Sequence, residues 1–171
     1  MKTVLSLVLL AIPFGAVPSR SEQQPFSLTI SAEHDSVKRG SEVFVQIKIT
    51  NTSNQQISLA KAPGNLPQAE SEYSIDVRDS GGREAPLTDY GRKIKEKKII
   101  VSMSRDSLHI EPGESQNDGV IVTKLYDLSR PGKYSVRVAR EIPPRWGGGI
   151  VQSNTINITI THKRDETPPK Q

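Results

Sequence analysis

From Val43 to Thr50 the chain reads Val-Phe-Val-Gln-Ile-Lys-Ile-Thr. Val43, Val45, Ile47 and Ile49 alternate with Phe44, Gln46, Lys48 and Thr50. Successive side chains of a strand point to opposite faces, so this period of two describes a strand with one face buried. The same alternation recurs at Phe26, Leu28 and Ile30, at Tyr73, Ile75 and Val77, at Tyr134, Val136 and Val138, and at Ile156, Ile158 and Ile160. Shorter apolar pairs stand at Ile57 and Leu59 and at Leu108 and Ile110. No stretch of twelve or more residues shows a helical period.

The segments between these strands carry turn chemistry. Asp79-Ser80-Gly81-Gly82 reads as a hairpin turn, because glycine accepts the positive φ that tight hairpins need. Asn51-Thr52-Ser53-Asn54 and Glu111-Pro112-Gly113-Glu114 read as further turns. Residues 60–71, with Pro63, Gly64, Asn65 and Pro67, read as an irregular loop. Residues 92–101 read as a lysine-rich strand, of the kind that keeps a sheet edge from pairing with another chain. Residues 120–125 read as a strand ending near Leu125, and 151–161 as one last strand. Short strands with turns between them predict an all-β chain: a two-layer antiparallel immunoglobulin-like β-sandwich of about seven to nine strands over residues 25–162.

Residues 125–138 give this prediction its direction. Leu128, Pro131-Gly132 and Tyr134 resemble the tyrosine corner of fibronectin type III and immunoglobulin-like sandwiches. That resemblance implies a buried tyrosine ring at the sheet corner, with its hydroxyl bonded to backbone upstream. Pro131-Gly132 sits one place later than in type III domains. Arg130 stands where antibody-type domains place an aspartate.

Residues 1–20 read as a secretory signal peptide: Lys2, then an apolar stretch over 4–14, then small residues and a proline. The expected location is therefore extracellular or periplasmic. The apolar run is too short to persist as a membrane span, so no transmembrane segment is expected in the mature chain. The chain contains no cysteine, which excludes disulfides and lipid attachment at an N-terminal cysteine. A domain without these staples is held by its core alone, as a chain of 171 residues permits. Residues 163–171 are charged and proline-bearing and read as a disordered tail. The net charge of +4 is too small over this length to point to nucleic acid. A monomer is expected.

Few residues carry recognisable chemistry. His34, His109 and His162 sit on different segments, without the clustered partners that a zinc site needs. No serine lies in a Gly-x-Ser-x-Gly or Ser-x-x-Lys arrangement. Asp76 and Asp79 flank one hairpin, but no calcium-loop motif surrounds them. Gly147-Gly148-Gly149 reads as a flexible hairpin tip, since no helix follows to face an anion. Asn51-Thr52-Ser53 and Asn157-Ile158-Thr159 fit the N-glycosylation pattern. No catalytic residue, metal ligand or cofactor site is expected, and the chain is not expected to be an enzyme.

Two features have binding chemistry. Arg145 and Trp146, the latter the one tryptophan, sit on a loop between two strands. They are the candidate binding residues: Trp146 either buries in a partner's pocket beside an Arg145–carboxylate pair, or folds back over the end of the core. The basic segment 92–98 either contacts an anionic polymer or surface, or protects an edge.

Four pieces taken together resemble the layout of the intracellular proteinase inhibitor (BsuPI-type) family and other bacterial immunoglobulin-like accessory domains. They are Ile49-Thr50-Asn51-Thr52-Ser53, Tyr73-Ser74-Ile75-Asp76-Val77-Arg78-Asp79 with Gly82, Leu108-His109-Ile110-Glu111-Pro112-Gly113-Glu114-Ser115, and Pro131-Gly132-Lys133-Tyr134-Ser135-Val136. The resemblance covers roughly Phe26 to Val138. Those inhibitors lack an export signal. The expected function is a secreted, non-enzymatic interaction module for an unknown protein or cell-surface polymer. The alternative that the resemblance implies is a secreted proteinase inhibitor.

Overall fold

A computed structural model of the chain describes residues 24–61, 68–96 and 107–162. The expected signal at 1–20 and tail at 163–171 lie outside these residues. In chain order the elements are β1 (Phe26–Ala32), β2 (Ser36–Lys38), β3 (Phe44–Asn51), β4 (Ile57–Ala60), α1 (Gln68–Glu72), β5 (Ser74–Asp79), α2 (Asp89–Glu96), β6 (Ser107–Ile110), β7 (Ser115–Ile121), α3 (Val122–Leu125), β8 (Gly132–Glu141), β9 (Ile150–Gln152) and β10 (Ile156–Thr161).

One sheet runs β1-β3-β7 and a second β2-β10-β8-β5, with β9 beside β8; β4 and β6 form a separate pair. The all-β sandwich expected from the alternation is the observed fold. The pairings are antiparallel except β2–β10. After β1, residues 33–35 carry the chain across to the second sheet, where β2 lies parallel to β10 and Thr159 N–H donates to Asp35 O at 2.7 Å.

The alternation read in the sequence faces the core between the sheets. Leu28 and Ile30, Val45, Ile47 and Ile49, Val77, Val120, Tyr134, Val136 and Val138, and Ile158 and Ile160 are all buried. Their removal from water is the main favourable contribution to folding a domain that has no disulfide.

The pairs β3–β7 and β4–β6 run in the same sense, so they form one antiparallel ribbon with a kink. Both of its strands break at the kink, at residues 52–56 and 111–114. Asn51 stands there with 1% of its surface exposed. Its Nδ2 donates to Gln55 O and to Ile110 O, both at 2.8 Å. Its Oδ1 accepts from Ser53 N–H at 2.9 Å and from Ser53 Oγ at 2.7 Å. The turn at 111–114 closes through Glu114 N–H to Glu111 O at 3.0 Å, with Gly113 at φ 76°.

The tyrosine corner forms as the resemblance implies. Tyr134 is buried, and its hydroxyl donates to Arg130 O at 2.8 Å. Leu128 is buried with it. The hairpin turn after β5 also forms: Gly82 N–H donates to Asp79 O at 2.9 Å, and Gly82 has φ 76°.

Four local expectations are corrected. Residues 122–125 are the helix α3, not the end of a strand; Tyr126 N–H closes its one turn on Val122 O at 2.9 Å. Residues 92–96 belong to α2, not to a basic strand, and 97–106 lie outside the described residues. Within the expected loop 60–71, Gln68 to Ser71 are helical, and 62–67 lie outside the described residues. The last segment is two strands, because residues 153–155 carry the chain from β9 to β10. All four are short elements whose form depends on tertiary docking more than on local periodicity.

Candidate functional site

A groove of about 820 Å³ opens at one end of the sandwich, among α1, the start of β5, α2, α3 and the end of β8. Apolar wall residues include Leu59, Leu87, Ile94 and Ile142, with Tyr73 and Tyr126 beside them.

The position of α2 follows from its first turn. Thr88 precedes the helix, and its hydroxyl accepts from Gly91 N–H at 2.9 Å, the usual side-chain cap of a free helical N–H. The same hydroxyl donates to Lys124 O at 2.5 Å, and Thr88 N–H donates to Leu125 O at 2.9 Å. The cap is therefore also the joint between α2 and α3. Gly91 makes that joint possible: a Cβ there would lie 2.8 Å from the backbone carbon of Leu125. Lys95 turns outward to Glu84 at 2.6 Å, and Arg92 pairs with Asp89. Two of the basic residues read as edge protection thus stand on a helix and pair with carboxylates.

Arg140 belongs to the groove lining. It continues the buried series Tyr134, Val136 and Val138 along β8, so its side chain enters where the core ends. Its Nη2 donates to Ala60 O at 2.7 Å. Its Nη1 lies 3.2 Å from Glu72 Oε2, and both side chains are almost fully buried, at 5% and 3% exposed. Nη1 makes no well-aligned hydrogen bond, so this contact is a charge pairing more than a directed bond. The guanidinium also lies 4.8 Å from the centre of the Tyr73 ring, within cation–π range. Burial pushes the Tyr73 hydroxyl up to about 12. Tyr126 is pushed to about 12 as well, first by burial and then by the charges of Glu84 and Asp76; its hydroxyl donates to Ile75 O at 2.5 Å.

The two residues expected to bind are placed differently from one another. Arg145 lines the groove, on the 3-10 turn Pro144–Trp146, and donates to Ser58 O across it. Trp146 is half-buried and packed against the core. Its Nε1 is buried without an acceptor among the described residues. Sequence reasoning assigns no site role to Glu72, Tyr73 or Arg140. A signal for Arg140 was present, since it stands in phase with three buried residues of the same strand.

The remaining candidates stay apart. His34, His109 and His162 are exposed, and no group of three or more metal-capable side chains occurs among the described residues. Asp76 pairs with Arg78 at 2.8 Å and Asp79 with Arg83 at 2.9 Å. Asp79 also accepts N–H bonds from Arg83 and Gly81, which hold its carboxyl below the usual range. Gly147, Gly148 and Gly149 all have positive φ in the turn between β8 and β9. Asn51 of the first glycosylation pattern is buried with its amide engaged, whereas Asn157 of the second is exposed. No helix among the described residues is long and apolar enough to cross a membrane.

The fold defines the class: an immunoglobulin-like β-sandwich, here with a groove at one end. No family model and no curated protein matches the chain. Among solved structures it is similar to the CARDB domain of the PF1109 protein from Pyrococcus furiosus, in complex with di-metal ions, with 8% identity and a TM-score of 0.40 over 80% of this chain and 87% of that one. It is similar also to the β-glucosidase EmGH1 from Erythrobacter marinus, with 16% identity and a TM-score of 0.42 over 80% of this chain. A third is the alkylpurine DNA glycosylase AlkC from Pseudomonas fluorescens, with 11% identity and a TM-score of 0.39 over 80% of this chain. The chain spans 15% of the glucosidase and 30% of the glycosylase.

Proposed function

We propose that this chain is an exported, non-enzymatic binding module, and that it holds a protein partner in the groove at the α1–α2 end of the sandwich. The groove carries the reading. Its volume of about 820 Å³ falls in the range of pockets that enclose a ligand, about 300–1,000 Å³. Apolar walls around a few fixed polar groups are the usual make-up of such sites. The buried Arg140–Glu72 pair holds the floor, and Arg145 stands at the edge with its guanidinium exposed to a partner's carboxylate. Trp146 supports the turn that presents Arg145. Export rests on the apolar N-terminal stretch of the sequence.

The test is affinity capture from the native extracellular fraction with wild-type protein, Ile94→Arg and Arg145→Ala. A partner held by wild type and lost with Ile94→Arg supports the reading. A partner captured equally by all three places binding elsewhere on the domain.

A further inference from the structure

The floor of the groove includes an open strand edge. In an antiparallel pair, successive residues direct their backbone groups alternately to one side and the other. Val77 O accepts Ala85 N–H at 2.8 Å, and Asp79 N–H donates to Arg83 O at 2.9 Å. Residues 75, 77 and 79 of β5 therefore face away from β8. Residues 83–85 cover this edge only beside Val77 and Asp79. The chain then turns off at Pro86, whose carbonyl accepts Asp127 N–H at 2.7 Å, and Thr88 N–H joins Leu125 O.

Among the described residues, no backbone group pairs with Ile75 on this side. Its carbonyl is met only by the side chain of Tyr126, and its N–H has no partner among the described residues. Ile75 and the preceding Ser74 both line the groove. An unpaired donor beside a carbonyl held only by a hydroxyl is what a strand edge offers to another strand.

We propose that the groove takes an extended peptide segment of the partner, which adds a short strand to β5 at Ile75. Backbone pairing supplies the N–H···O bonds, and alternate apolar side chains of the peptide enter between Leu87, Ile94 and Ile142. This inference rests on the groove being the binding site. It deepens that reading by naming the conformation of the partner. Tyr126 occupies the Ile75 carbonyl in the free protein and gives way when the peptide's own N–H arrives.

The experiment uses the full chain and a phage-displayed random-peptide library. Enriched peptides are made synthetically, their affinity is measured by fluorescence anisotropy, and amide hydrogen exchange is followed by NMR with and without peptide. The expected results are exchange at Ile75 slowed at least tenfold by peptide, affinity reduced at least tenfold by Leu87→Arg, and affinity kept or raised by Tyr126→Phe. Circular dichroism of each variant confirms that it folds. A peptide that binds, is lost with Leu87→Arg and leaves Ile75 exchange unchanged overturns strand pairing but keeps the groove. A peptide indifferent to Leu87→Arg overturns both. A library that yields no binder overturns the peptide inference alone, because partner capture tests the groove independently.

Discussion

Replacing Asn51 with alanine tests whether one buried side chain holds the kinked ribbon in shape. The asparagine makes four hydrogen bonds, two given and two received, with only 1% of its surface exposed. In Asn51→Ala, Gln55 O and the Ser53 groups lie near the surface and regain water. Ile110 O does not, because its bond to Asn51 is buried. One stranded buried acceptor costs about 1–3 kcal/mol, and the lost bonds add about 1 kcal/mol, so the loss should be about 2–4 kcal/mol. That is a large share of the roughly 5–15 kcal/mol that stabilises a domain. It lowers Tm by about 10 °C at this size. Urea unfolding followed by Trp146 fluorescence measures it, with an unchanged m-value showing that the unfolded state is the same. Asn51→Asp is the sharper control. It keeps the shape but turns a carboxylate oxygen toward two carbonyls, so it should cost at least as much at neutral pH. A loss below about 0.5 kcal/mol for both variants, the scatter of ordinary surface changes, would refute the idea that Asn51 fixes the kink.

Three further outcomes follow from the same contacts. Gly91→Ala should destabilise by about 1–3 kcal/mol through overpacking against Leu125, although alanine is the better helix former by about 1 kcal/mol; thermal unfolding reads the sign directly. Asn154 binds both backbone groups of Ile30, accepting from its N–H at 2.8 Å and donating to its carbonyl at 3.0 Å, and so occupies the free edge of β1. Asn154→Ala should expose that edge and promote self-association, seen as a rise in mass by light scattering. Tyr73 and Tyr126 are raised to about 12 in the folded chain, above the ordinary value of 10.0. Between those values the unfolded chain gives up the protons that the folded chain keeps, so stability present below pH 10 should fall as the pH rises towards 12. Titration of tyrosinate absorbance should show two of the residues ionising late, and Tyr126→Phe should leave one.

The strands were legible because burial on one face imposes a period of two that does not depend on the rest of the molecule. Val45, Ile47 and Ile49, or Tyr134, Val136 and Val138, carry it in their order alone. Turns with a backbone requirement were legible for the same reason: Gly82 and Gly113 stand at positive φ. The short helices were not. The apolar run at residues 99–101 drew the preceding lysines into a strand reading, while the helix signal at Thr88-Asp89 is only a cap. A cap of that kind is worth about 1 kcal/mol and decides little until Gly91 has docked on Leu125.

The groove was less legible than the fold because its parts come together only in three dimensions. Arg145 was singled out for its chemistry beside a tryptophan, yet Trp146 packs inward and Arg145 alone reaches the groove. Arg140 was given no role from the sequence. Its place in the alternation carries the stronger argument. A residue in phase with three buried neighbours either leaves a charge in the core or has a partner waiting, because an unpaired buried charge is not sustained. Glu72 is that partner, and it comes from α1, outside any strand that periodicity could find. The pair marks the point where the apolar core gives way to a polar floor. A charged residue in step with a buried strand face is therefore the sequence feature that points to the end of the sandwich where this domain opens.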